Sequence, residues 1–332
     1  MPLQHRTNRN RELSNRKQVA AITVTYNRTK TLERCLAALC AQTRLPDRII
    51  VVDNHSSEAE RQQLEALAAT DPKIEVLWLS ENTGGAGGFE AGMRYVKENY
   101  APDFYWIMDD DAYPRPDCLE QLLAALSEKP EAGCAAPLIY GIDLKAYQLY
   151  HHKQIDEKTL AELACVSSYE ELPRLEQIDA NAFVGPLFTR AAVDAVGIAD
   201  GSLFIYGDDT EYTYRVSRRF PIYLVRDAVI DHQDPPLKAN FMEPKAWWKE
   251  YYATRNKYFM LREFRPAGLP RLSAYARLTF LQLELIAAAL LKPKYKGWHL
   301  LRADLLWRAV RDGLLNRRGK TLDPVRYLER FR

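Results

Sequence analysis

Phe104-Tyr105-Trp106-Ile107-Met108-Asp109-Asp110-Asp111 carries an apolar, aromatic-rich run straight into three consecutive carboxylates. The run has the length and composition of a buried strand, so the carboxylates stand where the chain leaves the edge of a sheet. Three carboxylates packed together repel one another unless something positive or wet neutralises them. A hard divalent cation that also grips phosphate oxygens is the usual solution. Taken alone the triplet reads more readily as a solvated acidic turn, because Asp is common in turns and Ala112-Tyr113-Pro114 looks like one. What stands upstream favours the metal.

Val19-Ala20-Ala21-Ile22-Thr23-Val24-Thr25 is a β-branched, strand-length run, followed by the helical spacing Leu32, Cys35, Leu36, Leu39. The alternation then repeats: strand Arg48 to Val52, helix Glu58 to Ala69, strand Ile74 to Leu79, helix Phe89 to Asn99, strand Phe104 to Met108. Strands separated by helices make right-handed crossovers, hence a parallel sheet covered on both faces. Such sheets bind ligands at the carboxyl ends of their strands. Those ends carry Tyr26-Asn27-Arg28, Asp53-Asn54-His55-Ser56-Ser57, Glu81-Asn82-Thr83-Gly84-Gly85-Ala86-Gly87-Gly88 and the Asp triplet. The glycine cluster matches neither GxGxxG nor GK[ST], and it follows the third strand rather than the first. It marks either a close backbone approach to anionic or sugar oxygens, or tight helix–sheet packing.

The 332 residues are 47% hydrophobic and 27% charged, enough for one large globular domain with an appendage or for two domains. Five cysteines without a CxxC pair indicate neither a disulfide framework nor a structural zinc, which fits a reducing compartment. Residues 1–17 are polar and basic with no apolar core of a secretory signal, and are expected to be a disordered tail. Charge is segregated. Lys and Arg number five against one Glu in residues 1–17, 25 against 37 acidic in 18–261, and 16 against six in 262–332, giving +4, −12 and +10. A strongly basic last segment suggests an anionic counterpart, nucleic acid or phospholipid. From Leu269 onward apolar residues recur at helical spacing. Leu281–Leu291 contains Glu284 and stops at Lys292-Pro293, too short to span a bilayer, so interfacial helices on anionic lipid are expected. The alternative is a helical subdomain packed on the catalytic domain or on a second subunit.

Read together, Thr25-Tyr26-Asn27-Arg28, Val52-Asp53-Asn54, Asn82-Thr83-Gly84-Gly85-Ala86-Gly87-Gly88-Phe89 and Asp109-Asp110-Asp111-Ala112 resemble the family 2 glycosyltransferases of the GT-A fold. The NTGGAGGF and DDDA strings look most like the bacterial galactofuranosyltransferases, whose donor is UDP-galactofuranose. The resemblance covers residues 18 to 260. It implies a Rossmann-like α/β fold with a mixed, mostly parallel sheet and helices on both faces, and a C-terminal helical region beyond. It also implies a nucleotide-sugar half (18–115), an acceptor half (116–260) and a basic amphipathic helical region (261–332).

The same resemblance implies the site. Tyr26, Asn27, Arg28, Asp53, Asn82, Gly84, Gly85, Asp109 and Asp110 would hold the nucleotide sugar, and Asp111 with His232 a divalent metal, Mn²⁺ or Mg²⁺. Phe204-Ile205-Tyr206-Gly207-Asp208-Asp209-Thr210-Glu211 resembles the family's acceptor-side motif, which assigns the general base to Asp209 with Asp208 as the fallback. Trp247, Trp248, Glu211 and Arg255 are expected at the acceptor, the tryptophans as a sugar platform and Arg255 as a phosphate contact, although the aromatics fit a buried helix equally well. His151-His152 has no partner pattern and reads as surface. The expected activity is inverting transfer of galactofuranose from UDP-galactofuranose to a lipid-linked glycan, at the cytoplasmic face of the cell membrane. The rivals are transfer from dTDP-rhamnose and a catalytically silent nucleotide-sugar-binding module. No nucleic-acid recognition motif occurs, and an oligomer remains open.

Overall fold

The computed structural model describes residues 16–233 and 243–331. The expected disordered tail at 1–17 lies almost wholly outside them. Strands β1 (Val19–Thr25), β2 (Arg48–Asp53), β3 (Ile74–Trp78) and β4 (Phe104–Asp109) alternate with helices Thr29–Cys40, Glu58–Ala68 and Gly84–Asn99. There follow β5 (Ala112–Pro114), β6 (Cys134–Gly141), β7 (Ala146–Tyr147), β8 (His152–Ile155), β9 (Glu162–Ala164), β10 (Leu175–Ile178), β11 (Ala180–Asn181), β12 (Val184–Thr189) and β13 (Ile222–His232). The main sheet runs β10-β13-β6-β12-β4-β1-β2-β3, with β5 on β13 and β7 on β6; β11-β8-β9 form a small second sheet. The pairs β3-β2-β1-β4 and β13-β6 are parallel, and β12 is antiparallel to both of its neighbours. The sheet is therefore mixed and mostly parallel, as the resemblance implied.

Every residue of β1 is buried, which a strand covered on both faces requires. Val19 and Ala21 face Leu32, Cys35, Leu36 and Leu39 of the first helix, and Ala20, Ile22 and Val24 face Phe89, Met93 and Val96 of the third. Each such Leu, Ile or Phe contributes roughly 1.5–3 kcal/mol on leaving water. Parallel pairing places Thr25 beside Asp53, Asp53 beside Trp78 and Val24 beside Asp109. One row across the sheet thus collects the polar strand ends.

Two local expectations change. The third helix begins at Gly84, not Phe89. Its glycines serve packing: a Cβ on Gly88 would lie 2.5 Å from Val24, and one on Gly92 2.6 Å from Ile22. A Cβ on Gly85 would meet nothing within 4 Å, so at that position the helix start faces open space. Ala112-Tyr113-Pro114 is a buried strand rather than a turn, and its antiparallel pairing sets Ala112 opposite His232.

The C-terminal helices Leu269–Leu291 and His299–Leu314 pack with each other and with helix Trp247–Phe264. Among the described residues Leu269–Leu291 alone is long and apolar enough to cross a bilayer, with 23 residues and mean hydropathy 1.4. The reading from Leu281 onward was therefore too short, because the helix starts twelve residues earlier through Ser273, Tyr275 and Thr279, which interrupt the apolar run but not the helix.

Candidate active site

The Asp triplet emerges from β4 facing Arg28, which leaves β1. Arg28 places Nη1 2.9 Å from Asp110 Oδ1 and Nη2 2.8 Å from Asp111 Oδ2, and Thr25 Oγ1 donates to Asp110 Oδ2 at 2.7 Å. His232, at the end of β13, sets Nε2 3.3 Å from Asp111 Oδ1. The β5–β13 pairing brings that histidine across 120 residues of chain to the triplet. Its other nitrogen, Nδ1, faces Gln148 Oε1 at 3.4 Å. Gln148 is buried, and the lack of a side chain at Gly141 makes room for it, since a Cβ there would lie 2.4 Å from its amide nitrogen.

The electrostatics of the cluster follow from crowding. Burial works against charge on Asp111, but His232 and Arg28 more than offset it and hold its carboxyl below the usual range. Burial and the neighbouring Asp111 push Asp109 well up, with Asp110 and Asp208 adding to the effect. Burial raises Asp110 to about 7 despite Arg28. Such carboxyls bind protons because they lack a sufficient countercharge, and a divalent cation would supply one. Carboxylate oxygen and imidazole nitrogen suit Mn²⁺ or Mg²⁺. No group of three His, Cys, Asp or Glu side chains among the described residues has the geometry to hold a metal unaided. Asp111 and His232 would therefore hold an ion whose remaining positions go to water or to diphosphate oxygens, the ordinary arrangement for Mg²⁺.

The second acidic pair opens helix Asp208–Ser217, whose first turn contains Asp208, Asp209 and Glu211. A helix N-terminus favours negative charge. Asp208 is buried, and burial together with Asp209 raises it to about 8; its charge also bears on Asp109, so the pair stands within electrostatic reach of the triplet. The loop before it is strained, with Phe204 at φ +67°, Tyr206 at +65° and Gly207 at +85°. Non-glycine residues hold such angles at about 1–3 kcal/mol each, and only where their surroundings enforce them. Asn256 does so here. Its side-chain amide nitrogen faces the carbonyls of Leu203 (3.0 Å), Ile205 (3.0 Å) and Tyr206 (2.7 Å), and Arg255 Nη2 donates to Leu203 O at 2.8 Å.

Several expected site residues have other work. Arg255 is fully buried and also donates to Gly319 O, Thr321 Oγ1 and Asn256 Oδ1, so its guanidinium is spent on holding the protein together rather than presented to a ligand. Trp247 is buried against Leu305 and Tyr327, and Trp248 packs on Tyr252. The aromatics are those of a buried helix. Glu211 is paired with Arg215, which also binds the carbonyls of Val196 and Ile198. Asp53 is fully buried, accepting from Arg61 Nε at 2.9 Å and from the Ser56 N–H, so it shapes the wall of the cleft and presents no free carboxylate. His152 is no surface residue; it is fully buried with Nδ1 2.6 Å from Asn181 Oδ1.

Tyr26 is exposed, and Asn27, at φ +54°, ties the ends of β1 and β2 together through Ser56 and Ser57. Asn82 Oδ1 accepts from Gly84 N–H at 2.9 Å, and Asn54 spans to Thr83 N–H and Gly84 O. Sequence reasoning missed Gln148 and Asn256 as organisers of the site. Neither belongs to a motif with a fixed spacing to its target, so nothing in the chain flagged them.

Residues 20–197 match the sequence profile of glycosyl transferase family 2, and the chain belongs to that family. It is a glycosyltransferase. Over 321 residues it is 30% identical to galactofuranosyltransferase GlfT1 of Mycobacterium tuberculosis, a match covering 92% of this chain and 97% of that one. It is 28% identical over 133 residues to the N-acetylglucosaminyl-diphospho-decaprenol L-rhamnosyltransferase of the same species, covering 38% of this chain and 42% of the other. In fold it is similar to mannosyltransferase PcManGT from Pyrobaculum calidifontis, solved with GDP-Man and Mn²⁺, at TM-score 0.56 and 18% identity over 95% of both chains. The fold is GT-A.

Proposed function

We propose that the enzyme transfers galactofuranose from UDP-galactofuranose to a hydroxyl of a lipid-linked glycan, with inversion and with a divalent metal, Mn²⁺ or Mg²⁺. The observation that carries this reading is the meeting of His232 Nε2 with Asp111 Oδ1 at 3.3 Å, with the aspartates that open helix Asp208–Ser217 within electrostatic reach of the triplet. One group of side chains is suited to a diphosphate leaving group and the other to an incoming hydroxyl. Full-length similarity to GlfT1 supports the sugar.

When bound by Asp111 and His232, the metal would neutralise charge that develops on the departing diphosphate. Tyr26, Asn27, Arg28, Asn82, Gly84, Gly85, Asp109 and Asp110 line the donor side, with Arg28 placed to meet phosphate oxygens as well as carboxylates. Asp209 takes the proton of the acceptor hydroxyl. That oxygen forms its bond to the anomeric carbon on the face opposite the diphosphate, and the carbon–oxygen bond to diphosphate breaks with its electron pair going to UDP. Asp208, its neighbour in the same turn, is the alternative base. Interfacial helices in the basic C-terminal third would keep the enzyme at the inner face of the membrane, where a lipid-linked acceptor is held.

Purified enzyme given UDP-galactofuranose or dTDP-rhamnose, with an alkyl-glycoside acceptor and with or without EDTA, tests the reading. UDP release and a product of inverted anomeric configuration from the first donor alone are expected. Equal turnover in EDTA would remove the metal, and turnover of dTDP-rhamnose alone would replace the donor.

A further inference from the structure

Away from the active site a groove of about 820 Å³ opens between helix Leu269–Leu291, helix Trp247–Phe264 and the segment leading into β9. Its floor is apolar, with Leu160, Met260, Leu261 and Leu278. Its rim carries Lys158, Lys257, Arg265 and Arg277. The one acidic lining residue, Glu162, is held by Lys153 at 3.0 Å. Neither Lys257 nor Arg277 forms an ion pair with a described residue, and Arg265, whose Nη1 donates to Glu157 O at 2.8 Å, has no carboxylate partner among them. An apolar trough with uncompensated cations at its lip matches a molecule with one anionic end and a long apolar body.

The helix forming one wall narrows the choice. Leu272 and Phe280 are each 61% exposed and Leu291 is 81% exposed, while only Gln282 and Ala289 of the helix are buried. Arg271 and Arg277 stand near its start and Lys292, Lys294 and Lys296 just beyond its end, with Glu284 as its only acid. That helix is tied to the protein along its length: Thr279 Oγ1 lies 3.0 Å from the Tyr258 hydroxyl, and Ala289 O lies 2.7 Å from His299 Nδ1. A helix pinned lengthwise with one apolar face bare and cations at both ends suits the plane of an anionic bilayer better than a crossing of it.

We propose that the groove is a phospholipid site, in which Lys158, Lys257, Arg265 and Arg277 hold the phosphate of an anionic lipid and the apolar floor takes the start of its acyl chain. This rests on the membrane-surface part of the proposed function and gives it a specific seat. Full-length protein floated with vesicles of phosphatidylcholine, alone or mixed with phosphatidylglycerol, tests it against two charge-reversed variants of equal net charge. Lys257→Glu with Arg277→Glu should lower partitioning to the mixed vesicles at least tenfold, since each surface cation is worth about 1 kcal/mol there. Arg308→Glu with Arg330→Glu, outside the groove, should lower it far less. UDP binding checks that each variant folds, and Lys257→Gln with Arg277→Gln is the milder substitute if the reversal does not. Equal losses from both pairs would overturn the groove while leaving membrane association standing, and flotation of neither kind by the parent protein would overturn both. Displacement by inorganic phosphate beyond that by chloride at matched ionic strength would put a free anion in the groove. A lipid-free dimer that Leu281→Arg separates would give the face to a second copy of the chain. Either result would overturn the proposal.

Discussion

His232 Nε2 lies 3.3 Å from Asp111 Oδ1, while Gln148 faces the other ring nitrogen. A metal-binding imidazole needs its second nitrogen fixed so that the lone pair points at the ion, and Gln148 Oε1 can do that by accepting from Nδ1–H. Asp111→Ala is expected to abolish turnover and metal-dependent UDP binding. Gln148→Leu, which leaves both ligands in place, should weaken Mn²⁺ affinity roughly 10- to 100-fold, the scale of lost support to a ligand. Calorimetric titration of Mn²⁺ into the UDP-saturated enzyme reads both, and unchanged Mn²⁺ affinity in the Gln148 variant would remove its orienting role.

The two aspartates at the head of helix Asp208–Ser217 are separable by kinetics. Asp209→Asn should leave donor affinity nearly intact while lowering kcat roughly 10²-fold or more. Asp208 is the more deeply set of the two and its pKa is raised to about 8, by burial first and Asp209 second. Asp208→Asn should therefore cost less in kcat at pH 7 than Asp209→Asn. The reverse order in steady-state rates would make Asp208 the base.

Asn256 offers a test of loop geometry without touching the reacting groups. Asn256→Ala leaves the carbonyls of Ile205 and Tyr206 without this donor, next to two residues at positive φ, while Leu203 O keeps Arg255. Losing one buried donor costs about 1–3 kcal/mol. The loop should relax and Asp208 and Asp209 should lose their placement, so kcat should fall with little change in the affinity for UDP. Increased hydrogen exchange confined to residues 203–209 would mark the cause, whereas a global rise would mean general destabilisation.

Much of the fold was readable because β1 to β4 alternate with amphipathic helices, and a strand buried on both faces leaves a continuous apolar run. The strand-end motifs were readable for the same reason, since polar residues must begin where burial stops. What the chain did not disclose depends on distant partners. Ala112-Tyr113-Pro114 looks like a turn until β13 arrives to pair with it, and that pairing alone brings His232 to Asp111. Arg255 looks like a phosphate ligand until residues 319–321 occupy its donors. In both cases the local signal was sound, and a contact between segments far apart in the chain decided the role.

His152 carries the clearest pH signature outside the cleft. Burial first, offset in part by Asn181, lowers it from 6.5 to about 3, and its Nε2 is buried with no partner among the described residues. A histidine whose folded pKa is depressed favours the native state fully above its unfolded pKa, and that stability is lost as pH falls from about 6.5 toward about 3, because the unfolded chain takes up the proton first. Asp208 and Asp110, both raised, work in the opposite direction over higher pH, so the parent curve is a sum. Comparing it with His152→Gln isolates the one group. At pH 5, about 1.5 units below the unfolded value, the parent should have lost on the order of 2 kcal/mol relative to the variant. Urea unfolding at several pH values between 7 and 4 measures this. A difference between the two proteins that stays flat across that range would mean His152 is not held neutral in the folded state.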